Sequence, residues 1–361
     1  MSVVLVRHAL GAYPVRIEAG LLGRLEQLVS EHLPGRRVAV IADENVYRLC
    51  RAGRFGPAPW GGETLTFPAG EPSKSRETWS RLTDELLRRG FGRDSGLAAL
   101  GGGVAGDLAG FVAATYLRGV PYVQVPTTLL AMLDASVGGK TGVDTPEGKN
   151  LIGAFHPPVA VLADLRTLTT LPDREYRAGL AEAVKHGLIA DQAYFEWIER
   201  AAEQLIARDV DALQHLVLRS VEIKAGVVSE DEREGGRRAV LNAGHTVAHA
   251  LESATDYRIP HGEAVGLGLV AECALARELG LASADAGGRV AALLTRLGLP
   301  TRLEEPIAPE RLLGAMASDK KNRGGAIRFA LPRGLGTMEP GTNWTTGADE
   351  PAILAALAAI L

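Results

Sequence analysis

The chain has 361 residues, with 39 Lys and Arg against 43 Asp and Glu and a formal net charge of −4 at pH 7. This length exceeds what one hydrophobic core usually supports, so two domains are expected. The weakly acidic balance excludes the basic field that a nucleic-acid partner needs, and two cysteines cannot build a disulfide framework. Arg7 and His8 interrupt the apolar start of the chain, which lacks a cleavage pattern, and no stretch approaches a membrane span, so we expect a cytoplasmic protein without membrane partners.

The first half of the sequence alternates short apolar runs with helical patterns. The predicted elements are strands at 37–42, 97–100, 120–125 and 159–162 and a helix over 73–89 that Gly90 ends. Strands separated by helices are typical of βαβ units. We therefore predict an α/β nucleotide-binding domain with a mostly parallel sheet over residues 1–171.

From Pro172 onward the periodicity of apolar residues becomes helical. Helices are predicted at 174–190, 192–206, 210–229, 243–255, 262–280, 286–297 and 351–361, with one short strand at 326–331. Proline is well placed in the first turn of a helix, so the domain boundary is predicted at Leu171 and Pro172. The second domain, residues 172–361, is predicted to be all-α.

Lysine is rare, with seven residues against thirty-two arginines. The guanidinium group of Arg is planar and stays charged, whereas Lys carries a compact ammonium group whose pKa shifts on burial. Positions that keep Lys in an Arg-rich chain are therefore candidates for phosphate binding or proton transfer, the alternative being compositional drift. They are Lys74, Lys140, Lys149, Lys185, Lys224, Lys320 and Lys321.

Two glycine-rich segments predict anion sites. Residues 101–106 match G-x-G-x-x-G between a predicted strand and helix, where backbone N–H groups can hold a pyrophosphate. No acidic residue follows at the usual distance of about 20 residues to bind a ribose, so a tight turn is the alternative. Asp107 follows the last glycine, where it either faces a cofactor or caps the helix. Residues 126–150, rich in hydroxyl and ammonium groups, predict a second anion site that is not a P-loop, because Asp134 replaces the leading glycine.

Three histidines and one carboxylate form a candidate metal site. His245 and His249 are four residues apart on one helical face, a spacing that can present two imidazoles to one metal. A zinc protease would carry Glu where this chain has Thr246. Two of the three residues His245, His249 and His261 could bind the metal together with Glu182, which lies on a helix rich in small residues. Such a three-ligand site would leave a coordination position open for substrate.

Five long motifs occur in a characteristic order between about residue 43 and residue 321. They are GGGVAGDLAGFVAATYLRG, VPTTLLAMLDASVGGKTGVDTPEGKNLIGAFHPP, GLAEAVKHG, LNAGHTVAHALE and HGEAVGLG. Together they resemble the 3-dehydroquinate synthase family. The resemblance implies a homodimeric shikimate-pathway enzyme that uses NAD and one divalent metal, zinc or cobalt.

The reaction that the resemblance implies converts 3-deoxy-D-arabino-heptulosonate 7-phosphate to 3-dehydroquinate and phosphate. It proceeds by transient oxidation by NAD, phosphate elimination, reduction, ring opening and intramolecular aldol closure, so that NAD is regenerated within each turnover. The substrate phosphate can itself act as the base for the elimination.

The resemblance also implies roles for individual residues. The implied metal ligands are Glu182, His245 and His261, which leaves His249 near the phosphate as a proton carrier. The implied phosphate-binding residues are Lys140, Asn150, Lys320 in preference to Lys321, and Arg118, which reaches in from the second subunit. Arg238 and Asn242 match a pair that binds the substrate carboxylate, and Asp134, Lys185 and Lys224 match groups that hold its hydroxyls. The implied NAD-binding residues are Asp43, Glu71, Lys74, Gly102, Gly103, Asp107, Thr127, Thr128, Lys149 and Thr170.

Three alternatives stay open at this point. A metal-dependent polyol or glycerol-phosphate dehydrogenase would bind the same cofactors but would release NADH. A related cyclase would make an amino-dehydroquinate, a valiolone or an inosose, of which Arg238 and Asn242 favour the carboxylated amino compound. A non-catalytic nucleotide-binding protein would be expected to have lost a metal ligand or a lysine, and this sequence retains all of them.

Overall fold

The computed structural model describes residues 2–55, 63–282, 285–317 and 327–361. The chain divides into two compact units. The first contains Met1–Leu171 and Leu213–Ala225, and the second contains Pro172–Ala212 and Gly226–Leu361. The assignment of cofactor and metal to separate domains stays a prediction.

Nine strands and four helices lie within residues 2–171 of the first unit, counted over the described residues. The strands are β1 (Ser2–His8), β2 (Gly11–Glu18), β3 (Arg37–Asp43), β4 (Glu63–Phe67), β5 (Ser95–Gly101), β6 (Tyr122–Pro126), β7 (Lys140–Thr145), β8 (Gly148–Phe155) and β9 (Ala160–Asp164). The helices are α1 (Leu25–His32), α2 (Glu44–Arg51), α3 (Arg76–Arg88) and α4 (Gly103–Thr115).

A seven-stranded sheet in the order β1-β2-β9-β6-β5-β3-β4 forms the centre of this unit. All neighbouring pairs are parallel except β1 with β2. Successive residues of β3 face opposite sides of the sheet, so that Ala39 and Ile41 pack in one apolar core while Val40 and Ala42 pack in the other. A mostly parallel sheet covered on both faces is what the sequence predicts, and this part of the fold is confirmed.

The bounds of α3 follow from local chemistry. Ser75 Oγ accepts a hydrogen bond from the Thr78 N–H at 3.2 Å and caps the helix start. Gly90, in the left-handed region at φ +70°, follows its end. The predicted helix over 73–89 is therefore correct in type, but it begins only at Arg76, and Ser73 belongs to a separate 3₁₀ turn, Glu71–Ser73.

The strands β7 and β8 form a separate antiparallel hairpin that overlaps the end of the segment 126–150, which the sequence predicts as a second anion site. Gly142 and Gly153 lie opposite each other in this hairpin. A Cβ atom on Gly153 would lie 2.2 Å from the Thr141 carbonyl oxygen, so the close approach of the strands requires glycine.

The second unit is helical. Its helices are α5 (Asp173–Ala190), α6 (Gln192–Ile206), α7 (Val210–Glu230), α8 (His245–Ala254), α9 (His261–Glu278), α10 (Asp285–Arg296), α11 (Pro309–Ala317) and α12 (Glu350–Leu357). Two small sheets accompany them, pairing β10 (Ile327–Phe329) with β13 (Thr346–Ala348) and β11 (Pro332–Gly334) with β12 (Thr337–Met338). The domain is thus helical as predicted, although it is not purely α.

The middle of α7 differs from the predicted division of the chain. Residues Leu213–Ala225 group with the first unit. Gln214 Nε2 donates to the Ile17 carbonyl oxygen at 2.9 Å, and Lys224 Nζ lies 2.8 Å from Asp134 Oδ1. These long-range contacts are not visible in a local sequence pattern.

Within the described ranges, no helix has the length and apolar character needed to cross a membrane.

Candidate cofactor and metal sites

The glycine-rich turn between β5 and α4 is shaped by contacts that exclude side chains. Gly101 has φ +152°, and a Cβ on it would lie 2.6 Å from Ala105 Cβ. A Cβ on Gly102 would lie 2.9 Å from Thr128 Cγ2. Among the described residues no side chain caps α4, and its first turn, which begins at Gly103, contains no acidic residue. The N–H groups of this turn and the helix dipole therefore favour an anion.

The carboxyl ends of neighbouring parallel strands bring other predicted cofactor residues to the same edge of the sheet. The Thr127 N–H, just after β6, donates to the Gly101 carbonyl oxygen at 2.9 Å. Asp43 ends β3, and its Oδ1 accepts from the Asn45 and Val46 N–H groups at 2.8 and 3.2 Å. The carboxylate of Asp43, an implied NAD-binding residue, therefore also caps α2.

A buried ion pair lies beside the glycine-rich turn. Lys74 Nζ is 2.6 Å from Asp107 Oδ2, and the two side chains are 5% and 21% exposed. Burial alone would lower the pKa of Lys74, but Asp107 and Glu71 outweigh it and hold that pKa above its ordinary value. Burial raises the pKa of Asp107, against the opposing effect of Lys74. Lys149 Nζ lies 3.7 Å from Glu71 Oε1, so four predicted cofactor residues come together here.

Two further predicted residues lie in irregular turns. Thr170 follows a 3₁₀ turn after β9, and its Oγ1 donates to the Thr167 carbonyl oxygen at 2.9 Å. Leu117 and Arg118 have φ values of +50° and +72°, and successive left-handed non-glycine residues store strain that is common at functional sites.

Apart from Arg118, the predicted substrate residues of the first unit lie on a π-helical turn, on α7 and on the two strands of the β7–β8 hairpin. Asp134 belongs to a single π-helical turn, Ala131–Ala135, a local geometry that often marks a functional site. Lys224, which is 6% exposed, contacts both Asp134 Oδ1 at 2.8 Å and the Asp134 carbonyl oxygen at 2.5 Å. Lys140 begins β7 and is exposed, and Asn150 lies in β8 with φ +54°.

In the second unit, three helices present a group of metal-ligating atoms. Glu182 lies on α5, His245 is the first residue of α8, and His261 is the first residue of α9. One ligand atom from each lies within 4.8 Å of the others. Glu182 Oε1 is 3.7 Å from Nε2 of His245 and 3.7 Å from Nε2 of His261. Ligand atoms around a tetrahedral zinc lie about 3.3–3.6 Å apart, so the spacing suits one metal ion.

The remaining nitrogens of both imidazoles orient the rings toward this centre. His245 Nδ1 lies 3.1 Å from the Ala243 carbonyl oxygen, and His261 Nδ1 lies 3.3 Å from Glu252 Oε2. Because a carbonyl oxygen only accepts hydrogen bonds, the His245 proton belongs on Nδ1 and the Nε2 lone pair faces Glu182. Such outer contacts fix the tautomer of metal-binding histidines. The residues therefore fit a divalent metal with two nitrogen ligands and one oxygen ligand.

Lys185 and His249 border the three-ligand group. Lys185 forms an ion pair with Glu182, and both side chains are 1% exposed. The His249 ring centroid lies 5.6 Å from that of His245 and 6.3 Å from that of His261. The group that brings its ligand atoms together contains His245 and His261 rather than His249, so the spacing of four residues is not what selects the ligands.

Two buried carboxylates that support the metal group were missed in the sequence. Glu252 contacts His261, and it is 3% exposed. Glu272 Oε2 accepts from the Gly244 N–H at 2.7 Å and so holds the start of α8, where His245 lies. Both carboxylates lie among apolar residues of helices. Because Glu is rarely buried without a partner, this pattern is the signal that could have identified them.

Arg238 and Asn242, the predicted carboxylate-binding pair, lie on one 3₁₀ turn, Arg237–Asn242. Arg238 is 2% exposed, and its guanidinium donates to the Glu232 carbonyl oxygen. Asn242 Nδ2 donates to Glu234 Oε1 at 2.7 Å. Lys320 and Lys321 lie outside the described residues.

A third missed carboxylate, Asp231, folds the loop before this turn. It accepts hydrogen bonds from the N–H groups of Gly235, Gly236 and Arg238 at 2.9, 2.7 and 3.0 Å. Burial alone would raise the pKa of Asp231, but these backbone bonds outweigh it and hold the pKa below its ordinary value. The loop that leads to Arg238 is thus fixed by one ionised side chain.

Comparison with solved structures places this fold among sugar-phosphate cyclases. A 2-deoxy-scyllo-inosose synthase complexed with carbaglucose-6-phosphate, NAD⁺ and Co²⁺ is 25% identical, with a TM-score of 0.89 and coverage of 100% of both chains. A 2-epi-5-epi-valiolone synthase from Streptomyces hygroscopicus subsp. jinggangensis with NAD⁺ and Zn²⁺ bound is 30% identical, with a TM-score of 0.85 and coverage of 99% of this chain and 98% of that chain.

The sequence comparisons define the family more narrowly. The models for the N-terminal and C-terminal parts of 3-dehydroquinate synthase match residues 64–178 and 179–322. A curated 3-dehydroquinate synthase from Symbiobacterium thermophilum is 48% identical over 325 residues, covering 89% of this chain and 91% of that protein. The chain belongs to the 3-dehydroquinate synthase family, and the predictions of family, fold class and a lyase-class cyclase are confirmed.

Proposed function

We propose that this chain forms 3-dehydroquinate and phosphate from 3-deoxy-D-arabino-heptulosonate 7-phosphate, using NAD and one divalent metal, zinc or cobalt. The observation that carries the proposal is the group formed by Glu182, His245 and His261, whose spacing and ring orientation suit a metal. The related cyclases with bound NAD⁺ and Co²⁺ or Zn²⁺ support the same pair of cofactors.

The second unit would hold the metal and the acidic end of the substrate. When bound, the metal would polarise a substrate hydroxyl, and NAD would accept and later return a hydride. Lys185, which forms an ion pair with Glu182, would orient that carboxylate and donate a hydrogen bond to a substrate hydroxyl. His249, beside the ligand rings, would move a proton during elimination or ring opening. Arg238 would bind the substrate carboxylate together with Asn242.

The first unit would hold NAD and the phosphate. The turn containing Gly102 and Gly103 would bind the pyrophosphate of NAD at the N-terminus of α4. The remaining proposed cofactor residues are Asp43, Glu71, Lys74, Asp107, Thr127, Thr128, Lys149 and Thr170. Lys74 stays protonated beside Asp107, which gives this region a fixed cation.

Phosphate departure would be assisted by Lys140 and Asn150 on the β7–β8 hairpin, whose positive and amide groups stabilise the leaving charge. Arg118 would add a third donor from a second copy of the chain in a homodimer. Asp134 and Lys224, held together in one ion pair, would bind the hydroxyls of the substrate. A cytoplasmic location is part of the proposal and accords with the two free cysteines, Cys50 and Cys273.

The proposal is tested by product analysis with purified protein, NAD and Zn²⁺ or Co²⁺. We expect equal amounts of inorganic phosphate and 3-dehydroquinate from the heptulosonate phosphate, and loss of both after chelation of the metal. The amino-substituted substrate and a polyol are assayed in parallel. Faster turnover of the amino compound, or of the polyol, would reject the proposed substrate.

A further inference from the structure

The β7–β8 hairpin contains an irregularity where it carries the proposed phosphate-binding residue Asn150. Its regular pairs are Val143 with Ile152 and Thr145 with Gly148, so β7 contributes one residue between them and β8 contributes three. The single residue on β7 is Asp144. Bulges of this kind redirect side chains and are frequent next to active sites.

The Asp144 side chain completes the hydrogen bonding of the bulge. Its Oδ1 accepts from the Asn150 backbone N–H at 2.8 Å. Asn150 is held at φ +54°, a region that L residues rarely adopt. A bulged residue has no regular partner across the ladder, so a side-chain acceptor is what fixes the Asn150 backbone in this conformation.

The backbone of Asp144 contacts the proposed cofactor residues. Its N–H donates to the Lys74 carbonyl oxygen at 2.7 Å. Burial raises the pKa of Asp144. The Asn150 N–H and the charge of Lys74 oppose that rise, while the charge of Glu71 and a hydrogen bond with it add to the rise. Asp144 therefore makes two separate hydrogen bonds. Its side chain accepts one from the proposed phosphate-binding residue Asn150, and its backbone N–H donates the other to Lys74.

We propose that Asp144 is a positioning residue that sets Asn150 for the substrate phosphate through its side-chain acceptor and steadies the Lys74 segment through its backbone N–H. The inference rests on the proposed function, because that function assigns phosphate to Asn150 and NAD to Lys74. In this proposal Asp144 contacts neither phosphate nor NAD. It acts on the phosphate site through its side chain and on the NAD site through its backbone N–H.

Removal of the side chain alone separates these two actions. Asp144→Ala deletes the acceptor and keeps the backbone N–H, so we expect an approximately tenfold weaker affinity for inorganic phosphate, the effect of one such hydrogen bond. The affinity for NAD is expected to change less than about threefold, because the bond to Lys74 remains. Asp144→Asn keeps an acceptor for Asn150 and supplies a donor to Glu71, so it is expected to restore phosphate affinity. Glu147→Ala, at an exposed position of the same hairpin, is the matched control.

The measurement is calorimetric titration of each full-length, zinc-loaded variant with inorganic phosphate and, separately, with NAD. These titrations do not depend on turnover, so product formation by the unmodified protein judges the proposed function independently. Equal losses for phosphate and NAD in Asp144→Ala would indicate general damage to the hairpin and overturn the inference. Unchanged phosphate affinity in Asp144→Ala, or failure of Asp144→Asn to restore it, would also overturn it.

A second variant pair tests whether Asp144 acts through Asn150. Asn150→Gly removes the amide and suits φ +54°, because glycine adopts the left-handed region without strain. In this background we expect Asp144→Ala to weaken phosphate binding by less than about twofold, since coupled residues are not additive. A full tenfold further loss in the double variant would show that Asp144 acts on phosphate by another route.

Discussion

Replacement of Glu182 by Gln is expected to lower metal affinity more than about 100-fold and to abolish turnover. A neighbour that merely orients a ligand typically contributes about 10–100-fold to metal affinity, and Glu182 is proposed as a direct ligand. Its Oε1 faces Nε2 of both His245 and His261 at 3.7 Å. Glutamine keeps the shape of the side chain but removes the negative charge that attracts a divalent cation, and its neutral amide oxygen is a weaker ligand for zinc or cobalt.

The same change removes the Glu182 charge from the buried ion pair with Lys185, and breaking a buried pair typically costs about 3–5 kcal/mol of stability. Metal content by elemental analysis and unfolding by urea are therefore measured together. Glu175→Gln, at an exposed position on the same helix α5, is the control and is expected to retain metal, stability and turnover. A folded Glu182→Gln protein with full metal content would contradict the ligand assignment.

Replacement of Gly262 by Ala is expected to destabilise the second unit by about 3 kcal/mol or more, because a Cβ there has no space. The Cβ would lie 1.9 Å from the Ala178 carbonyl oxygen and 2.4 Å from its carbon. These are backbone atoms of α5, so the clash is relieved only if α5 and α9 move apart. Gly262 follows His261, and Ala178 lies one turn before Glu182, so this movement would also separate two proposed metal ligands.

Gly266→Ala is the matched control on the same helix. A Cβ at Gly266 would meet its nearest neighbour, Leu294 Cδ2, at 3.6 Å, which is ordinary contact. Its free energy of unfolding should be unchanged or raised by up to about 1 kcal/mol, as expected for Gly to Ala in a helix. Urea unfolding and zinc titration of both variants provide the comparison. Equal stability of the Gly262 and Gly266 variants would show that the close approach of α5 and α9 is not required.

The parallel sheet and the long helices could be predicted because their signals are local. β5 is buried over its whole length, as expected of a strand covered on both faces, and the sequence shows it as a short apolar run. Ser75 and Gly90 bound α3 through contacts with residues a few positions away. Such elements depend little on distant parts of the chain.

The β1–β2 and β7–β8 hairpins of the first unit were missed for a different reason. β2 aligns with β9 through pairs such as Val15 with Val161, which no local pattern reveals. The β7–β8 hairpin is rich in glycine, and glycine has a low strand propensity. Facing glycines allow the close approach of its two strands, and this contact between strands is not visible in a local sequence pattern.

Residue types and spacing predicted the residues around the metal site but not which of the histidines are ligands. The pattern left open which two of His245, His249 and His261 act together, and the family resemblance chose His245 and His261. The structure places Nε2 of those two beside Glu182. The supporting carboxylates were missed because their partners, such as the Gly244 N–H for Glu272, are distant in sequence.

The central claim, that NAD is oxidised and regenerated within one turnover, is tested most directly by following NADH absorbance during phosphate release. Purified protein is given a divalent metal, substoichiometric NAD and excess heptulosonate phosphate. The account predicts many equivalents of phosphate per NAD with no accumulation of NADH. Accumulation of NADH in step with substrate consumption, and arrest when NAD is exhausted, would contradict it and indicate a dehydrogenase.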